Sequence, residues 1–121
     1  MTSKAEIYYT AVDSGDAAAA VALLADDVQF AMIIPTGVNR GRGRADMYSY
    51  LSARPDVGRK HVVLRTATDR DMVFVHGVVT ENGDSTGAFV GAMHIDDAGL
   101  IDRYQVAFDS TFSVLPSAAQ D

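Results

Sequence analysis

Three histidines, a helix-borne tyrosine and no cysteine bound the chemistry open to this 121-residue chain. Without thiols there is neither a disulfide nor a thiolate metal site. His76 is the leading candidate for proton transfer, because an imidazole titrates near neutrality and serves as general acid or base. Its alternatives are a strand histidine donating to a backbone carbonyl, or one at a dimer surface. Tyr8 can keep its ring in a core while its hydroxyl orients a ligand carbonyl or hydroxyl; the alternative is ordinary aromatic packing. His61, His76 and His94 fall on three successive apolar segments, but no two have close ligand spacing, and no metal is expected. Arg40, Arg42 and Arg44 alternate with Gly41 and Gly43 ahead of a helix. That pattern reads either as an anion site or as a solvated loop, and it lacks phosphate-loop spacing. Arg65, Asp69, Arg70 and Asp71 read as solvated charges.

The elements that must position these side chains follow from periodicity. Ser3-x-x-Glu6 is a capping-box pattern, and Ala5, Tyr8, Tyr9 and Val12 then share one helical face. Gly15 suits the residue that closes this helix, and Asp16 can cap the next, which would bury Ala20, Val21, Leu23 and Leu24. Residues 28–34 form an apolar extended run stopped by Pro35, the first predicted strand. A third helix spans about 44–54, with Met47, Tyr50 and Leu51 on one face and Pro55 ending it. Four further strands follow at 61–68, 72–80, 86–95 and 100–112. Helices followed by a meander give an α+β class, with three N-terminal helices packed on one face of a strongly curved, mainly antiparallel sheet.

Turn chemistry adds a register. Asn82-Gly83 suits a two-residue type I′ hairpin, which places His76 opposite Phe89 and Phe74 opposite Gly91. If Asp97-Ala98 centres the next turn, Phe89 faces Val106 and Gly91 faces Tyr104. Directly opposed side chains share a face. Phe74, His76, Val78, Phe89, Gly91, Tyr104, Val106 and Phe108 would then lie on one surface, and His94, Gln105 and Asp109 on the other. A bulge would flip part of this set.

The length suits one domain, residues 1–121, able to bury a core without staples. A formal net charge of −6 argues against a nucleic-acid partner, which needs a basic face. The opening MTSKAEIYYT has no apolar signal-peptide segment, and the apolar run at 17–25 is too short to cross a bilayer. The expectation is a cytoplasmic protein with no membrane partner. Residues 113–121 read as a fraying end.

The phrases Asp13-Ser14-Gly15-Asp16, Ala25-Asp26-Asp27-Val28, Gly41-Arg42-Gly43-Arg44-Ala45 and Asp97-Ala98-Gly99-Leu100-Ile101, with Tyr104 and Phe108-Asp109, run through most of the chain. In these the sequence resembles the nuclear-transport-factor-2-like superfamily, in particular its SnoaL-like and ketosteroid-isomerase-like members. The resemblance implies a cone-shaped domain around an internal pocket. It also implies that Tyr8 occupies the position of a helix-1 tyrosine that donates to a substrate oxyanion in ketosteroid isomerases. The aspartate base of those enzymes falls on Met32, and their second oxyanion donor falls on Gly91. The acid that SnoaL-like cyclases and limonene-epoxide-hydrolase-like enzymes carry on the last strand falls on Val106. Neither methionine, glycine nor valine can move a proton.

Two functions remain open on these grounds. One is an enzyme that isomerises, cyclises or hydrates a hydrophobic ring-containing compound such as a polyketide, terpenoid or steroid, with His76 and Tyr8 catalytic and no cofactor. The other is a non-catalytic binding protein for such a ligand, which the vacant acid positions favour. In either case the expected pocket is lined by Tyr8, Met32, Tyr50, Phe74, His76, Phe89, Tyr104, Val106 and Phe108. Both faces of the central strands are largely apolar, and helices cover only one, so a homodimer through the sheet is expected.

Overall fold

Capping chemistry starts the chain as expected. In the computed structural model, which describes residues 2–55 and 57–116, helix α1 (Lys4–Asp13) opens on a complete capping box. The Glu6 N–H donates to Ser3 Oγ and the Ser3 N–H to Glu6 Oε1, both at 3.2 Å. Ala5, Tyr8 and Tyr9 are the buried face of α1. After Gly15, the Asp16 carboxylate accepts from the Ala19 N–H at 3.0 Å and opens α2 (Ala17–Val21).

From there the boundaries depart from the sequence reading. Helix α2 stops at Val21, and strand β1 (Leu24–Ile34) begins four residues before the predicted strand. The cause is long-range. Leu24 pairs with Ile101, and the Ile101 N–H donates to the Leu23 carbonyl at 3.0 Å, so the last strand captures the end of the predicted helix.

The Gly/Arg stretch is a second correction, because most of it is strand β2 (Gly37–Arg42), paired antiparallel to β1. Gly41 lies opposite Phe30, and a Cβ there would come 2.3 Å from the Phe30 ring, so only glycine lets the aromatic cover the strand. Asn39, Arg40 and Arg42 leave this edge polar, which discourages further pairing. Arg44 opens α3 (Arg44–Ser52) and is spent on structure. Its guanidinium donates to the Leu24 carbonyl at 2.8 and 2.6 Å and pairs with Asp26 at 3.0 Å. Asp46 already faces the start of α3, accepting from the Arg42 N–H at 2.9 Å. The loop is thus a tie between β1 and α3.

Strands β3 (Arg59–Asp69), β4 (Met72–Glu81), β5 (Asp84–Ile95) and β6 (Ile101–Asp109) complete one six-stranded sheet of order β2-β1-β6-β5-β4-β3. Only the β1–β6 pairing is parallel. The sheet is not closed, and the class is α+β.

One residue overturns half of the predicted face assignment. Asn82 and Gly83 take the positive φ values of a type I′ turn, 53° and 90°, and the pairs Glu81↔Asp84 and Thr80↔Ser85 follow as expected. The register then shifts, so that Val79 pairs with Gly87 and Thr86 is left over, its hydroxyl donating to the Val79 carbonyl at 3.2 Å. Beyond this bulge His76 faces Val90 and Phe74 faces Ala92. His76, Phe74 and Val78 therefore stand on the opposite face from Phe89, together with His94. At the next turn Asp96 accepts from the N–H groups of Ala98 and Leu100, and the register slides by two from the expected one. A slip of two preserves faces, so Phe89, Gly91, Tyr104, Val106 and Phe108 still share one surface. Gly77 marks the crowding beside Phe89, since a Cβ there would lie 2.2 Å from the Val62 carbonyl and 2.9 Å from the Phe89 ring.

The inner face packs on α1 and α3, and the core joins Tyr8, Tyr9, Met47, Val28, Val75, Phe89, Met93, Ile101 and Tyr104. The outer face leaves Val62, Phe74 and Val90 exposed. It also carries a charged knot, in which His94 Nδ1 meets Asp102 at 2.5 Å and His94 Nε2 meets Asp71 at 2.8 Å. Two carboxylates on the two ring nitrogens require an imidazolium. The hydrogen bonds to Asp102 and then Asp71 raise the His94 pKa above its ordinary 6.5. A raised pKa means that the knot stabilises fully below that ordinary value and ceases to do so as pH rises through the raised one. Thermal melts should therefore show the wild type losing an advantage over His94→Gln as pH climbs above about 6.5. Parallel pH profiles for the two proteins would refute this.

No described helix is long and apolar enough to cross a membrane. Of the predicted fraying end, residues 113–116 are described and the remainder lies outside the described residues.

Candidate active site

Between α1, α3 and the inner face of the sheet lies a cavity of about 450 Å³. Most of its wall is apolar, from Val12, Met32, Ile34, Leu51, Val79, Phe89, Val106 and Phe108, with Tyr50 of α3 over one side. Seven of the nine residues expected to line a pocket do so: Tyr8, Met32, Tyr50, Phe89, Tyr104, Val106 and Phe108. Phe74 and His76 do not. The Thr86 bulge puts Phe74 on the outer face, 42% exposed. It seats His76 in a separate hollow beneath Phe112 and Val114, where Nε2 lies 3.3 Å from Ser113 Oγ. His76 therefore cannot move a proton in the inner cavity.

A histidine that the sequence offered only as a metal ligand stands there instead. His61, on β3, pairs with Val79 across the ladder and lines the cavity beside Phe89. It is held by Asp13, the last residue of α1. The His61 backbone N–H donates to Asp13 Oδ2 at 2.6 Å, and Nδ1 meets Asp13 Oδ1 at 2.7 Å. The two side chains are only 14% and 11% exposed. Tyr9 stacks on the imidazole at 4.6 Å and 17°, and Phe89 meets it edge-on at 5.3 Å. With one carboxylate oxygen on the backbone and the other on the ring, imidazole rotation is blocked. The carboxylate assigns the proton to Nδ1 and leaves Nε2 as the acceptor. Nε2 has no hydrogen-bond partner among the described residues. His61 lines the cavity, and Asp13 does not.

Tyr8 supplies a donor. Its hydroxyl is buried without a hydrogen-bond partner, although Tyr9 and Tyr104 stand edge-on to its ring at 5.7 and 5.5 Å. Those two neighbours satisfy each other through a short hydroxyl–hydroxyl hydrogen bond. Burial first, then the charge that Tyr9 would carry, pushes the Tyr8 pKa upward, so the phenol stays protonated and can only gain by donating. Burial does the same to Tyr9 and Tyr104. An orphaned buried hydroxyl costs free energy until a partner arrives.

Two arginines stand at the polar end. Arg59 donates through Nε and Nη2 to Glu81 Oε2, at 3.1 and 2.9 Å. Arg54, just beyond α3, lines both the cavity and the adjoining outer cleft. No group of His, Asp and Glu side chains suited to a metal occurs among the described residues.

Sequence reasoning missed Asp13, His61 and Arg54 as a set. Asp13 lies 48 residues from His61, and in the sequence it stands out only within the phrase Asp13-Ser14-Gly15-Asp16 that carries the family resemblance. No spacing rule links the two, and the face of β3 depends on a further register shift between Val63 and Arg65.

Comparison with curated proteins yields no match. Similar solved structures include a candidate ketosteroid isomerase from Kribbella flavida, at 23% identity over 94% of this chain and 81% of that one, with a TM-score of 0.76. An LEH-like epoxide hydrolase from M. tuberculosis is 22% identical over 88% and 80%, with a TM-score of 0.71. A candidate polyketide cyclase from Xanthomonas campestris is 24% identical over 88% and 87%, with a TM-score of 0.70. At such identities the likeness shows the fold alone. The family model of the SnoaL-like domain matches residues 5–104, and the chain belongs to that family.

Proposed function

We propose that this protein is an enzyme that moves a proton on a hydrophobic, ring-containing small molecule, with His61 as the base and Tyr8 as the oxyanion donor. One observation carries the reading: His61, fixed by a carboxylate, and Tyr8, whose buried hydroxyl has no partner, line the same largely apolar cavity. The reaction class that suits them is proton abstraction beside a carbonyl, the first step of an isomerisation or an aldol-type cyclisation. The C–H bond breaks, its proton passes to His61 Nε2, its electron pair forms the carbon–carbon double bond of the enolate, and the C=O π pair moves onto the oxygen. The Tyr8 hydroxyl donates to that oxygen as charge develops. Asp13 stabilises the resulting imidazolium without taking its proton. The proton then returns to another carbon, or the enolate carbon attacks an electrophile. This chemistry uses none of the vacant positions Met32, Gly91 and Val106.

The test uses 2-tetralone, an uncharged bicyclic ketone, in D₂O. The protein should accelerate deuterium entry at the carbon next to the carbonyl, and His61→Gln should abolish the acceleration. The apolar residues at Met32, Gly91 and Val106 favour the second reading, a binding protein. Saturable binding of tetralone with no accelerated exchange would select it.

We also propose that the protein is a homodimer through the outer sheet face, because Val62, Phe74 and Val90 leave more than two-fifths of their surface exposed there. Sedimentation at micromolar concentration should show a dimer that Val90→Asp dissociates. A wild-type monomer would refute it.

A further inference from the structure

Among the described residues, the charged side chains that line the cavity are hydrogen-bonded or ion-paired except Arg54. Glu81 is taken by Arg59. Asp13 is taken by the His61 backbone and ring, and the exposed Lys60 ammonium rests on the Asp13 carbonyl at 3.3 Å. The Arg54 guanidinium makes no hydrogen bond and no ion pair with any described residue. Yet it is half-buried at the junction of the cavity and the outer cleft. Burial first, and then the charge of Arg59, holds its pKa below the ordinary arginine range. Arg54 lines the same cavity as Tyr8, Tyr50 and His61.

An arginine placed where desolvation is costly, with no acceptor among the described residues, is suited to an arriving anion. Its planar fork of N–H donors matches a carboxylate bidentately. Apart from the Arg59–Glu81 pair, His61, Thr86 and the tyrosines, the wall is apolar, with Met32, Leu51, Phe89, Val106 and Phe108. Its volume of about 450 Å³ falls in the range that encloses a one- or two-ring molecule.

We infer that the substrate is an apolar ring compound carrying one carboxylate, which Arg54 binds at the cavity mouth while the ring system enters toward Tyr8 and His61. This deepens the proposed function and rests on the cavity being the substrate site. The ion pair would fix which ring carbon meets His61 Nε2. It would also leave an uncharged analogue free to bind in several orientations, so exchange on an acid substrate should be regioselective in a way that exchange on tetralone is not.

The experiment compares 2-naphthoate with 2-naphthamide, which share a ring system and differ in charge, by calorimetric or NMR titration. Wild type should bind the naphthoate at least about tenfold more tightly, a margin typical of one charge-assisted pair. Arg54→Gln should erase that preference and leave naphthamide affinity unchanged, which also shows that the variant is folded. Arg54→Lys should keep part of it. Added salt should weaken naphthoate binding to wild type and spare naphthamide. Equal affinities in wild type, a preference that survives in Arg54→Gln, or salt-insensitive naphthoate binding would each overturn the carboxylate inference while leaving the cavity reading in place. Binding of neither compound would overturn both.

Discussion

His61→Gln is expected to slow proton exchange on 2-tetralone by about 10²–10⁴-fold, the usual contribution of a positioned general base. Glutamine keeps a polar side chain of similar reach and cannot titrate near neutrality. Ligand affinity should change little, because the ring of His61 is one panel of a largely apolar wall. Asp13→Asn probes the same step from behind. Asp13 is a positioning residue, touching His61 and not the cavity. An amide in its place would present N–H or C=O to Nδ1 and allow the wrong tautomer. The expected signature is a lower kcat with near-constant KM. His76→Gln serves as the contrast, since His76 lies beneath Phe112 on the other side of the sheet, and exchange should persist. Normal exchange in His61→Gln, or its loss in His76→Gln, would end the His61 mechanism.

That contrast turns on a single extra residue. The capping box, the Gly15 stop, the Asn82-Gly83 turn and the alternation of β5 and β6 are local patterns, and all are legible because side-chain period and turn chemistry act within a few residues. The bulge at Thr86 is not. Nothing in Thr80 to Gly87 announces that Thr86 will be skipped, yet the skip carries His76 and Phe74 to the outer face. Strand β2 was hidden for a different reason. Its glycines and arginines resemble a loop in composition, and it becomes a strand only because Gly41 accommodates the ring of Phe30 across the ladder. Leu23 and Leu24 satisfy a helical period, but Ile101, far along the chain, claims their backbone. Seven lining residues could be named in advance because β5 and β6 slipped by an even number, and because Tyr8, Met32 and Tyr50 follow from helix faces and family position. The Asp13–His61 pair is visible only once α1 and β3 have docked. Arg54 carried no signal at all, since a lone arginine after a helix normally looks solvated.

Tyr8→Phe is expected to move activity and stability in opposite directions. In the tetralone assay it removes the donor that meets developing negative charge on the carbonyl oxygen, and loss of one such donor costs about 10²–10³-fold in rate. The ring remains, so the edge-on contacts to Tyr9 and Tyr104 and the packing of α1 survive. In the ligand-free protein the hydroxyl is buried with no partner, and removing an unsatisfied polar group deletes a penalty of about 1–3 kcal/mol. Chemical denaturation should therefore show Tyr8→Phe as stable as the wild type or more so, while Tyr104→Phe, which breaks the hydroxyl pair with Tyr9, should be destabilised. The pairing of slower exchange with undiminished stability separates a catalytic hydroxyl from a structural one, because a residue retained for the fold would lose both together. If Tyr8→Phe exchanges deuterium at the wild-type rate, the oxyanion assignment is wrong. If it unfolds more easily, the hydroxyl has a partner in the folded protein and was never waiting for a substrate.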